Sequence, residues 1–178
     1  MKTRMLILAP VLFMIVSFAL GQTQSQSGSS YLISEWQRAK EYSKEYLDAM
    51  TEEGYGFRPT PEVRTFAQQF LHLAIDNYGF ASTITGKTNP YPNSDETEKD
   101  PVLQSKTAVT KFVLDSYDFA INALMSLTPT QLQEKTGKRA LSREQYFFKA
   151  FEHQTHHRGQ ATIYLRLKGI KPPNEKLF

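Results

Sequence analysis

The sequence predicts an all-α protein built as a four-helix bundle. Three observations carry this. Apolar residues recur at three- and four-residue intervals over four stretches of roughly twenty residues each. Capping residues and proline- or glycine-rich breaks separate those stretches. No segment alternates apolar and polar residues as a half-buried strand does, and no internal repeat is present. The chain has 178 residues, the size of one domain. Four helices of that length hide their apolar stripes by packing on one another.

The elements follow in order. Residues 1–21, MKTRMLILAPVLFMIVSFALG, read as a signal peptide. Lys2 and Arg4 form a basic start, residues 5–20 are uncharged and apolar, and Ala19 and Gly21 place small residues before the cut. Pro10 and the shortness of the run argue against a permanent membrane helix. The chain has no cysteine, which removes a lipid-modified cysteine at the cut, disulfides, a thiol nucleophile and thiolate metal sites. The expectation is an exported protein, periplasmic or secreted, with no stable membrane insertion after cleavage. Losing Lys2 and Arg4 from 21 basic residues leaves 19 against 18 acidic ones, so the charge gives no basis for nucleic-acid binding.

Residues 22–30 are rich in Gln, Ser and Gly and read as a disordered linker. The bundle domain then spans 31–178. Its first helix is predicted over 31–50, from Leu32, Trp36, Ala39, Tyr42, Tyr46 and Ala49 at helical spacing. The second is predicted from Thr60 as N-cap and Pro61 as first helical residue to about Ile84. A polar, proline-containing stretch, TGKTNPYPNSDETEKDP, follows and reads as a long loop. The third helix is predicted over 102–127, with one helical turn at PTQLQ beyond it. Ser142 and Gln145 make a capping-box signal for the fourth, which Gly169, Pro172 and Pro173 stop near Lys168.

The chain has four histidines, and His153, His156 and His157 lie within five residues. At about 100° per residue, with His153 at zero, His157 falls near 40°. Phe147, Ala150, Ala161, Tyr164 and Leu165 fall between about 20° and 120°, so both histidines join the core-facing side. His156 falls near −60°, away from that stripe. On the second helix a narrow polar strip of Thr65, Gln69, His72 and Asp76 runs between two apolar flanks. That pattern suits a helix packed against two neighbours, and its buried polar groups need partners. A cation shared between His72, His153 and His157 is one solution; hydrogen-bonded core histidines are another. Gln154 stands where H-E-x-x-H needs its glutamate, so the zinc-protease reading fails. Gln69, Asp76 and His156 are the residues placed to orient ligands or water. Arg158 at the stripe's edge is expected to pair with a carboxylate, and Gly159 to permit close helix packing.

The strings HQTHHRGQATIYLRLKGIKPP and FRPTPEVRTFAQQFLHLAIDNYGFAS resemble the DinB-like superfamily, the DinB/YfiT group of metalloenzymes. The resemblance spans residues 36–173. It implies an up-down-down-up bundle, one divalent ion (zinc, nickel or iron) and the ligands His72, His153 and His157, and it suggests a homodimer. The group also contains thiol-dependent transferases, whose cytosolic thiols an exported chain would not meet. Three imidazoles leave a divalent ion with an open position. The expected function is therefore a metal-dependent hydrolase acting on a small molecule, the alternative being a non-catalytic metal-binding or stress-related module.

Overall fold

The computed structural model describes residues 30–178. The signal peptide assigned to 1–21 lies outside the described residues, as does the linker apart from Ser30, which is already helical. The long helices are α1 (residues 30–49), α2 (Phe66–Thr85), α4 (Lys106–Met125) and α6 (Arg143–Leu167). Two short ones, α3 (Ser94–Lys99) and α5 (Pro129–Gln133), lie in the connections. A two-residue antiparallel ladder, β1 (Lys135–Thr136) with β2 (Leu141–Ser142), precedes α6.

The helices begin where side chains can satisfy orphan backbone donors. Thr65 with Gln68, Thr128 with Gln131 and Ser142 with Gln145 each form a complete capping box. The start of α2 therefore differs from the sequence expectation. Thr60 heads only a turn, with the Val63 amide donating to its carbonyl, and the helix begins five residues later at the Thr65 box. Likewise α4 begins after Ser105, because residues Pro101–Leu103 form a separate 3-10 turn capped by Asp100. Gly86 and Gly169 stop α2 and α6 in the left-handed conformation, each at φ 72°.

Contacts fix the helix directions. Lys106 at the start of α4 donates to the carbonyls of Asp48 and Met50 at the end of α1. Tyr164 near the end of α6 donates to the Arg64 carbonyl just before α2. Arg143 at the start of α6 donates to the Ile84 carbonyl at the end of α2. Tyr46 near the end of α1 meets Thr162 near the end of α6 at 2.8 Å, so α1 and α6 run one way and α2 and α4 the other. Both α4 and α6 pack on α2, which explains its two apolar flanks. The core is aromatic-rich: Trp36 of α1 meets Tyr117 of α4 and Phe147 and Phe151 of α6 edge-on.

Two expectations for α6 are corrected. Arg158 has no carboxylate partner among the described residues. The residue is 4 % exposed, and its guanidinium donates to Ser43, Tyr117, Gln154 and Thr155. Its neighbours on α1 and α4 at this level are hydroxyl and aromatic groups, so dipoles solvate the charge. Gly159 is exposed, and among the described residues a Cβ there would meet nothing within 4 Å, so close packing does not require it.

Candidate metal centre

α2 and α6 cross so that their polar strips face each other. His72 rises from the middle of α2, and His153 and His157 stand one turn apart on α6. One ring nitrogen from each lies within 4.8 Å of the other two. The Nε2 atoms of His153 and His157 are 3.1 Å apart. A tetrahedral ion with bonds of about 2.1 Å needs donor separations of roughly 3.4 Å, so small side-chain adjustments, with the His153–His157 pair opening slightly, complete the site. His157 is buried, while the His72 and His153 side chains are 22 % and 23 % exposed, so the cluster opens on their side.

The surrounding hydrogen bonds set the tautomers. Tyr164 uses its proton on the Arg64 carbonyl, so its oxygen accepts from the Gln69 amide at 3.1 Å. That turns Gln69 Oε1 toward His157 Nδ1, 2.8 Å away. Nδ1 must then carry the proton, which leaves Nε2 a lone pair. His72 is held the same way. Its Nδ1 lies 3.2 Å from Glu98 Oε2 and 3.4 Å from an Arg64 N–H; the shorter contact to the carboxylate favours a proton on Nδ1, while Glu98 Oε1 accepts from Arg64 at 2.7 Å. Carboxylate or amide oxygens behind imidazoles are the usual supports of metal-binding histidines.

His153 is less fixed. Its Nε2 faces Asp76 Oδ2 at 3.0 Å as well as His157, and its buried Nδ1 has no hydrogen-bond partner among the described residues. With the His157 Nε2 unprotonated, His153 Nε2 carries the proton and donates to Asp76. A cation at the cluster would give His153 a reason to present that nitrogen as a lone pair instead. The donor set fits a divalent ion of the zinc, nickel or iron type.

Electrostatics point the same way. Burial first, and then the neighbouring His153 and His72, push His157 down to about 3, so it stays neutral and available as a ligand. Burial also lowers His153, against the opposing pull of Asp76. Burial raises Glu98, yet hydrogen bonds from His72 and Arg64 outweigh it and hold the carboxyl below its ordinary value.

Glu98 and Arg64 were not singled out in the sequence. Glu98 sits in the stretch expected to be loop, where α3 forms because Asn93 caps it through the Glu96 amide. That N-x-x-E spacing was the available signal. The structure places Gln69 against His157 and Asp76 against His153. His156 faces outward, where it contacts Gln160 and the edge of the His157 ring.

The DinB family model matches residues 22–177. The chain belongs to the DinB family. Among its relatives, the Bacillus subtilis (strain 168) protein named "Uncharacterized protein YjoA" is 24 % identical over 146 residues, covering 79 % of this chain and 91 % of YjoA. Two crystal structures share the DinB fold. A DinB-like protein from Bacillus cereus ATCC 10987 superposes with a TM-score of 0.70 at 20 % identity, over 81 % of this chain and 95 % of that one. Bacillus subtilis YjoA superposes with a TM-score of 0.64 at 17 % identity, over 83 % and 96 %. This DinB chain carries a three-histidine cluster able to hold a metal ion.

Proposed function

We propose that this DinB protein is an exported metal-dependent hydrolase, with His72, His153 and His157 holding one divalent ion. The observation that carries the reading is the convergence of three imidazoles, two of them with Nε2 freed by fixed partners, Glu98 for His72 and Gln69 for His157. A divalent ion in a three-histidine site supplies Lewis acidity toward a carbonyl or phosphoryl oxygen, with a coordination position left over. The protein supplies the rest. Asp76 stands beside His153 at the open side, the carboxylate placed to take a proton from an attacking water. Glu98 and Gln69 hold the rings, and Arg64 holds Glu98. Having a carboxylate at the mouth favours hydrolysis over a purely metal-storing module.

Export rests on Lys2, Arg4, the apolar run at 5–20 and the small residues Ala19 and Gly21. For a homodimer, the candidate contact is the exposed strip of Phe148, Gly159, Ile163 and Leu167 on α6. The functional test is metal analysis of the protein isolated from its own compartment, followed by ester, amide and phosphoester hydrolysis assays before and after chelation. One equivalent of metal, with a hydrolysis lost on chelation and in His72→Ala, is the expected result. Hydrolysis that survives chelation would overturn the reading.

A further inference from the structure

Two neighbouring clefts open beside the histidine cluster. One, of about 670 Å³, follows the second half of α2 from Asp76 to the turn between β1 and β2. The other, of about 520 Å³, follows α6 and reaches His153. They share Phe80, Tyr146 and Arg139. Taken together, the two clefts run from the histidine cluster, past Phe80, Tyr146 and Arg139 at their common border, to the turn. The Phe80 ring lies 6.3 Å from that of His153 and 6.4 Å from that of Tyr146.

The far end is cationic. Lys87 and Lys138 line it, and Arg139 stands between it and the second cleft; all three are exposed, and none has an ion pair or side-chain hydrogen bond among the described residues. Neighbouring basic groups are already engaged: Lys149 with Glu152, and Arg143 with Glu134 and the Ile84 carbonyl. The one acidic group in the larger cleft, Asp76, is bound to His153 at the other end. Three unpaired cations around a concave surface make a field that concentrates anions.

Gly79 adds an independent observation. It lies inside α2 and lines the groove. A glycine within a helix is destabilising relative to alanine. Here a Cβ would meet only Asn89 Nδ2 at 3.7 Å, an ordinary contact, so packing does not require glycine. What the missing side chain does is leave the groove floor open.

We propose that this groove binds the tail of the substrate, and that the substrate is an amphipathic molecule ending in a carboxylate or phosphate. The anion meets Lys87, Lys138 and Arg139, the apolar middle lies on Phe80 and Tyr146, and the reacting group reaches the histidines. From Asp76 to the end of α2 is roughly 14 Å at helical rise, which sets the scale of a medium-length chain. The placement of the reacting group rests on the metal-centre reading above; anion binding in the groove does not.

The test is calorimetric titration of octanoate, octyl phosphate and uncharged octanamide into the purified protein, metal-free and zinc-loaded. Both anions should bind the metal-free protein about tenfold tighter than octanamide, and added salt should narrow the gap. The double reversal K138E/R139E, at exposed unpaired side chains, should erase the gap and leave zinc binding intact. Gly79→Leu should weaken all three ligands about tenfold without lowering the melting temperature. His72→Ala should leave anion binding to the metal-free protein unchanged. Octanamide binding as tightly as octanoate, or K138E/R139E without effect, would overturn the proposal. Anion binding seen only with zinc, and lost in His72→Ala, also overturns it while preserving the metal centre. Loss of zinc binding with the groove's anion preference intact separates the two in the other direction: the tail site stands and the metal reading falls.

Discussion

Gln69 dictates which nitrogen of His157 is free. Its amide end is committed to Tyr164, so its oxygen faces His157 Nδ1 at 2.8 Å and the ring must present Nε2 to the cluster. Gln69→Ala should therefore weaken metal binding by about 10- to 100-fold with the helices intact, the scale expected for a residue that orients a ligand. Glu98→Gln should act similarly through His72, because an amide that turns its nitrogen toward Nδ1 no longer accepts that proton. Zinc titration by calorimetry, with circular dichroism as the control for folding, measures both. Wild-type affinity in both variants would mean that the rings need no such support.

The four histidines should separate cleanly. Alanine at His72, His153 or His157 removes a convergent donor and should abolish tight binding of one equivalent of metal. His156→Ala removes a side chain that contacts Gln160 and only the edge of the His157 ring, and should change affinity less than about fivefold. Equal losses at His156 and His157 would contradict the arrangement of α6.

Acid should destabilise the metal-free protein well before its carboxylates titrate. His157 is pushed down to about 3 by burial and its histidine neighbours, against about 6.5 in the unfolded chain. Between these values the unfolded state binds a proton that the folded state refuses. Stability is therefore full above about pH 6.5 and falls as the pH drops toward 3, by up to about 1.4 kcal/mol per pH unit per proton. His153, lowered by burial, adds in the same direction. Urea midpoints at pH 7.5 and 5 measure the effect, and His157→Gln should flatten it. A midpoint identical at the two pH values in the wild type would be inconsistent with a buried neutral His157.

The Arg158 network should matter to stability and not to the metal. Tyr117 hydrogen-bonds Ser43 at 2.6 Å and Gln154, and accepts from Arg158 at 3.2 Å. Tyr117→Phe leaves a buried guanidinium one acceptor short where no carboxylate compensates, at a cost of about 1–3 kcal/mol. The network lies on the α1 and α4 side of α6, so zinc affinity should stay within about twofold. Denaturant unfolding and zinc titration of the one variant read out both halves of this expectation.

Much of the site was legible because it is written in helical period. The four-residue step from His153 to His157, and the strip joining Gln69, His72 and Asp76, survive any small error in helix ends. The Ser142 box with Gln145 was equally local. What the sequence hid was tertiary. Glu98 reaches His72 from a short helix in a proline-containing connection, and no periodicity within six residues announces which side chain turns inward. The start of α2 was missed because two threonines compete as caps. Thr60 is followed by a helix-compatible proline, but only Thr65 has a glutamine three residues on to close the box. Arg158 resembled an edge cation because its neutral partners Ser43 and Tyr117 lie on other helices.

The central claim is that His72, His153 and His157 hold one divalent ion with a position left open toward Asp76. Cobalt substitution followed by visible spectroscopy tests it most directly. One equivalent of cobalt should bind, be lost in His72→Ala, and give a spectrum that shifts when azide is added, because an outside ligand can enter. The metal-free protein should remain folded, its aromatic core being complete without the ion. A closed tetrahedral spectrum that azide leaves unchanged would contradict the open site, and failure to bind cobalt stoichiometrically would contradict the metal centre itself.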